Sequence, residues 1–152
     1  MVLKGIHVIQ GKQLSDGGDA GGKADPYFVC RIGSFGSTWN EKKKQTNGLQ
    51  IRGETIRDEK NPRWNAKFTV DTAWIRELSV SDNKTRFEMT LKIWDKDTLF
   101  DDDLGSVVIE IPHEDHVGPK DYPIVGGKGS VTVEFFKANS NDLSNWLHCE
   151  KC

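Results

Sequence analysis

Carboxylates are unevenly spread along this chain. Five of its 23 Asp and Glu side chains fall within Trp94-Asp95-Lys96-Asp97-Thr98-Leu99-Phe100-Asp101-Asp102-Asp103-Leu104-Gly105. Two carboxylates about 4 Å apart repel by about 4 kcal/mol at an effective dielectric of about 20, so such a cluster calls for a compensating cation. A hard cation that takes about six to eight oxygens, as calcium does, answers that need. Magnesium answers it less well, since it keeps several waters and takes only one or two carboxylates. The plain alternative is an acidic loop held apart by solvent.

The spacing resembles the start of an EF-hand loop but fails its other requirements. Counting from Asp95, Phe100 stands where the sharp turn needs glycine, and Ser106 where the bidentate glutamate belongs.

The acidic run continues directly from Phe87-Glu88-Met89-Thr90-Leu91-Lys92-Ile93, a strict alternation of apolar and polar residues that predicts a strand. Its odd positions are expected to face a core, and Glu88, Thr90 and Lys92 the solvent. Asp95 and Asp97 then sit where the strand gives out, on the same side. Asp101–Asp103 return toward them across a short loop. A second loop, Asp16-Gly17-Gly18-Asp19-Ala20-Gly21-Gly22-Lys23-Ala24-Asp25-Pro26-Tyr27, is rich in glycine and ends with Pro26 holding Asp25 extended. It contains no phosphate-cradling G-x-x-x-x-G-K-[ST] or G-x-G-x-x-G pattern.

Further strands are expected over Ile6–Ile9, Tyr27–Ile32, Trp64–Val70, Val107–Ile111 and Val131–Phe136, with weaker signals at Glu41–Thr46 and Tyr122–Ile124. Helical periodicity is confined to Thr72–Leu78 and to Leu143, Trp146 and Leu147. Short strands separated by Gly, Pro, Asn and Asp predict an all-β sandwich or barrel. The 152 residues suit one domain, read here as residues 1–137, with 138–152 as a C-terminal tail holding a short helix or fraying.

A net charge of −2 argues against a general nucleic-acid binder. No apolar run reaches the roughly 20 residues of a membrane span, and no signal peptide is evident. Three cysteines cannot build a disulfide framework and suit a reducing, cytoplasmic setting. The Cys149-Glu150-Lys151-Cys152 pair lacks the second pair a structural zinc site needs. No G-x-S-x-G, H-E-x-x-H or kinase signature is present, so the chain is not expected to be an enzyme.

Four linked motifs resemble the C2 domain family of calcium- and lipid-binding modules: Ile6–Ile9 followed by Leu14; Asp19 with Asp25-Pro26-Tyr27; Asn61-Pro62-Arg63-Trp64-Asn65 with Phe68; and Trp94-Asp95-Lys96-Asp97 through Leu104-Gly105. Their order spans about Leu3 to Lys137. The resemblance implies an eight-stranded antiparallel β-sandwich in its permuted form, with the last strand beside the first and calcium-binding loops at one end. It implies ligation by Asp19 and Asp25 from the first loop, by Asp95 and Asp97 from the third, and by the Lys96 carbonyl. For the remaining carboxylate, counting forward from Asp97 gives Asp103 and counting back from Gly105 gives Asp102. The loop is one residue shorter than the usual form, so the count from the glycine is preferred. Asp102 is then the principal ligand, Asp103 shares the ion, and Asp101 faces solvent.

Such a module, with Ca2+ as its cofactor, docks onto anionic membranes bearing phosphatidylserine or phosphoinositide as a cytoplasmic, peripheral protein. Leu99 and Phe100 stand at the third loop's tip, where they either enter the membrane or pack on the sandwich end. Lys42, Lys43 and Lys44, with outward Lys67 and Lys92, resemble the family's basic lipid patch if they share a face; otherwise they are solvated strand residues. The alternative is a calcium-insensitive domain that binds protein partners.

Overall fold

The architecture comes from a computed structural model, which describes residues 3–16, 23–34, 49–71, 87–138 and 150–151. Among them eight strands of four or more residues form: β1 (Leu3–Lys12), β2 (Pro26–Ser34), β3 (Leu49–Arg52), β4 (Ala66–Asp71), β5 (Phe87–Asp95), β6 (Asp102–Glu110), β7 (Val117–Pro123) and β8 (Ser130–Lys137). A two-residue ninth, β9 (Glu150–Lys151), pairs with the outer edge of β3. All pairings are antiparallel, in two sheets ordered β4-β1-β8-β7 and β6-β5-β2-β3-β9. The expected sandwich is therefore present, with the last long strand, β8, beside β1. No helix occurs among the described residues. The strand expected over Glu41–Thr46, the turn at Asn47-Gly48 and both short helices lie outside them.

The alternation read from the sequence supplies the core. Ile6, Val8, Phe68, Val133 and Phe135 from one sheet meet Phe28, Ile32, Met89, Leu91 and Ile93 from the other, all essentially inaccessible to solvent. Burying each such side chain contributes about 1.5–3 kcal/mol. Trp64 belongs to this core and meets Phe28 edge-on, ring centroids 5.1 Å apart.

One expectation about β5 needs correction. Glu88, Thr90 and Lys92 are buried like their odd-numbered neighbours, at 6, 3 and 7% exposure. The strand is interior to its sheet, flanked by β2 and β6, so neighbouring side chains border its outer face on both sides. Arg31 lies opposite Thr90 on one side, and Ser106 opposite Lys92 on the other.

Candidate functional site

The site lies where β1, β2, β5 and β6 reach one end of the sandwich. Pro26 opens β2 directly opposite Asp95, the last residue of β5. The Asp25 N–H donates to Asp95 Oδ1 at 2.8 Å, and the Lys96 N–H donates to the Asp25 carbonyl at 3.0 Å. Asp95 is only 2% exposed, so this carboxylate belongs to the interior rim. Asp25 Oδ1 in turn accepts the Asp58 N–H at 2.7 Å, tying in the connection between β3 and β4. Asp58 holds a positive φ of 52° and its own carboxylate accepts the Lys23 N–H.

Across β6, an irregularity decides which carboxylate faces which. Lys92 pairs with Ser106 but Trp94 pairs with Asp103, so Leu104 and Gly105 together oppose Ile93. This is a β-bulge, and Gly105 supplies it with φ +104°, a backbone conformation that costs glycine little. Because strand faces alternate, the extra residue reverses the face of everything on its far side. Asp102 comes opposite Asp95 and on its face, while Asp103 falls on the outer face with Lys92 and Trp94.

The three consecutive aspartates therefore have different surroundings. Asp103 accepts the Gly105 N–H at 2.8 Å and meets the buried Lys92 ammonium at 3.3 Å. Asp101 accepts from the Tyr27 hydroxyl and from the Asp97 N–H, with the Lys96 ammonium 3.7 Å away. Its expected orientation toward solvent is corrected: Asp101 organises the loop. Asp102 makes no side-chain hydrogen bond or ion pair among the described residues. Asp97 is exposed and turned onto its own loop, where Oδ1 accepts the Thr98 N–H at 2.6 Å.

Tyr27 and Asp101 form a latch that spacing alone did not disclose; Tyr27 entered only as the end of Asp25-Pro26-Tyr27 and the start of an expected strand. Burial, and then the Asp101 carboxylate, push the Tyr27 hydroxyl up to about 12. The Tyr27 hydroxyl, helped by the Asp97 N–H and Lys96, holds Asp101 below the usual carboxylate range. The Arg52 guanidinium covers the Tyr27 ring 4.0 Å from its centroid. Beyond this latch the tip of the loop projects freely, with Leu99 85% and Phe100 83% exposed.

The basic residues do not assemble as expected. Lys67 is exposed on β4 in one sheet, whereas Lys92 is in the other. Lys92 lies flat beneath Trp94, its ammonium 4.9 Å from the ring centroid and its charge engaged by Asp103. A buried, ion-paired lysine cannot contribute to an outward lipid patch with Lys67. Lys42, Lys43, Lys44 and Asp19 lie outside the described residues.

Among the described residues no three carboxylates converge closely enough to enclose a metal. Asp25 and Asp102 instead flank Asp95 along a short rim. Carboxylate oxygens of this kind are the ligands that calcium takes, and the soft ligands zinc or copper would favour are absent from this rim.

The family model of the C2 domain matches residues 4–124. A single C2 domain of plant extended synaptotagmin 1 aligns with a TM-score of 0.61 at 17% identity, over 90% of this chain and 93% of that one. Calcium-bound extended synaptotagmin 2, as a pair of its C2 domains, aligns at 0.64 and 20% identity over 90% of this chain and 45% of that one. Human GIVD cytosolic phospholipase A2 aligns at 0.63 and 19% identity over 91% of this chain and 16% of that one. The chain thus spans less than half of the last two proteins, and at these identities the likeness is one of fold.

Proposed function

Because the chain belongs to the C2 domain family, we propose that its loop end binds calcium and docks onto anionic phospholipid membrane. One juxtaposition carries this reading: Asp25, Asp95 and Asp102 line a rim beneath a tip that exposes Leu99 and Phe100. Carboxylates that repel one another favour a cation, and a bound cation reverses the sign of the local potential toward anionic headgroups. Asp25, Asp95 and Asp102 would hold the ion, with Asp19, Asp97 and the Lys96 carbonyl as further donors. Asp103 is a weaker donor because Lys92 already engages it. Leu99 and Phe100 would then enter the interface, each contributing about 1.5–3 kcal/mol on full burial.

The test is sedimentation with phosphatidylserine-containing vesicles in calcium and in chelator. The expected result is binding in calcium that is lost in chelator. A higher Tm in calcium than in chelator is expected alongside, since an ion that binds only the folded state stabilises it by mass action. Equal vesicle binding and equal Tm in both conditions would overturn the calcium reading and leave a calcium-insensitive interaction domain.

A further inference from the structure

Beside the aspartate rim, at the same end of the sandwich, three loops enclose a cleft of about 240 Å³. Its lining includes three lysines from three separate segments: Lys23 before β2, Lys60 between β3 and β4, and Lys128 between β7 and β8. All three residues are exposed, and among the described residues none of them pairs with a carboxylate. Asp16 supplies the one carboxylate in the lining.

The cleft is held by backbone rather than by side chains. The Leu14 N–H donates to the Lys60 carbonyl, and the Glu59 N–H to the Ala24 carbonyl, both at 3.0 Å. Lys23 is fixed through its own N–H to Asp58. Lys128 is placed by Gly129, whose φ of +85° lets the turn approach so closely that a Cβ would lie 2.0 Å from the Lys12 carbonyl oxygen. The backbone positions of the three lysines are therefore preset, so that their side chains border one cleft.

We propose that this cleft is a phosphate-binding site, separate from the aspartate rim and from the basic strand residues. Three lysines against one aspartate leave two net positive charges, which match a phosphate monoester of about −1.5 to −2 at neutral pH. Lysine ammonium groups act there as point charges, each with three rotatable donors. The shared chemistry is a monoester phosphate, whether on a soluble compound or on a phosphorylated lipid headgroup. Only the lipid source rests on the membrane-docking reading; the soluble one stands without it.

Titration with soluble inositol trisphosphate in chelator, followed by calorimetry, tests the site without calcium. Lys23→Gln, Lys60→Gln and Lys128→Gln are each expected to weaken binding about fivefold, and the triple variant far more. Lys137→Gln, an exposed lysine away from the cleft, should bind as wild type, and Tm should be unchanged in every variant. A triple variant that binds like wild type would overturn the site, as would an equal loss in Lys137→Gln. Vesicles of phosphatidylcholine with phosphatidylinositol bisphosphate, compared in chelator with phosphatidylserine vesicles of matched charge, separate the sources. Preference for the bisphosphate that the triple variant loses assigns the headgroup. Trisphosphate binding with no vesicle preference assigns a soluble phosphate. Failure of the calcium-dependent assay would leave the chelator titration unaffected.

Discussion

Asp101, Asp102 and Asp103 are chemically identical neighbours whose roles are set by what their oxygens already touch. Asp101 is occupied by Tyr27, and Asp103 by Lys92 and the Gly105 N–H. Asp102, opposite Asp95, has its carboxylate available to a cation. Calorimetric calcium titration should therefore rank Asp102→Asn as the most damaging, by about tenfold or more in affinity, or about 1.4 kcal/mol. Its Tm in chelator should hold or rise, because a like charge opposite Asp95 is removed. Asp103→Asn should do the reverse, lowering Tm by removing a partner of the buried Lys92 ammonium while leaving calcium affinity nearly intact. If Asp103→Asn cost more affinity than Asp102→Asn, the register argument would fail. Tyr27→Phe should leave calcium affinity close to wild type and cost about 1 kcal/mol of stability, the usual net worth of a hydrogen bond.

At the scale of elements, the third loop has an anchored base and a free tip. Tyr27 and Asp101 hold the base, and Leu99 and Phe100 project beyond it. The Leu99→Ala, Phe100→Ala double variant should lose vesicle binding while its calcium titration in solution stays unchanged. Wild-type sedimentation of that variant would refute a role for the tip in the membrane.

A different cross-strand link joins β1, β7 and β8. Asp121 on β7 accepts from Thr132 on β8, and the Lys12 ammonium on β1 meets it at 2.9 Å. The Thr132 hydroxyl first, then Lys12, hold Asp121 below its ordinary 3.8. A carboxyl depressed in the folded state contributes stability above the unfolded value and loses it as pH falls through the folded one. The Tm advantage of wild type over Asp121→Asn should accordingly be present above pH 3.8 and shrink on further acidification. An advantage independent of pH would mean the carboxylate charge plays no part.

At the scale of the whole molecule, core packing depends on a close approach at Gly53, just after β3. A Cβ there would lie 2.2 Å from the Phe28 ring, which is itself wedged edge-on against Trp64. The Phe28 ring is fully buried, so Gly53→Ala should destabilise by about 1–3 kcal/mol, as overpacking does. For a chain of this size that lowers Tm by about 2–4 °C per kcal/mol. Gly118→Ala, where an added methyl group meets nothing within 4 Å, is the matched control and should melt as wild type. Equal melting of the two variants would show that the Phe28–Trp64 packing is loose.

Much of this was legible in the residues. Alternation over Phe87–Ile93, β-branched runs and turn residues between them specify strands, because a pleated strand with one face buried admits only a period of two. The joining of the loops around Asp25 and Asp95 was legible only through the family resemblance, since the first loop taken alone is a glycine-rich turn. What the residues could not disclose was long-range. Burial of Glu88, Thr90 and Lys92 depends on β5 lying between β2 and β6, which no local pattern encodes. The same holds for Lys92 and Lys67, which fall in different sheets. Most directly, three adjacent aspartates do not by themselves show which one faces Asp95; the count back from Gly105 favoured Asp102 without showing the pairing behind it. The bulge at Leu104 and Gly105 decides it, because one extra residue in a strand exchanges the two faces, and only pairing with β5 shows where that residue is absorbed.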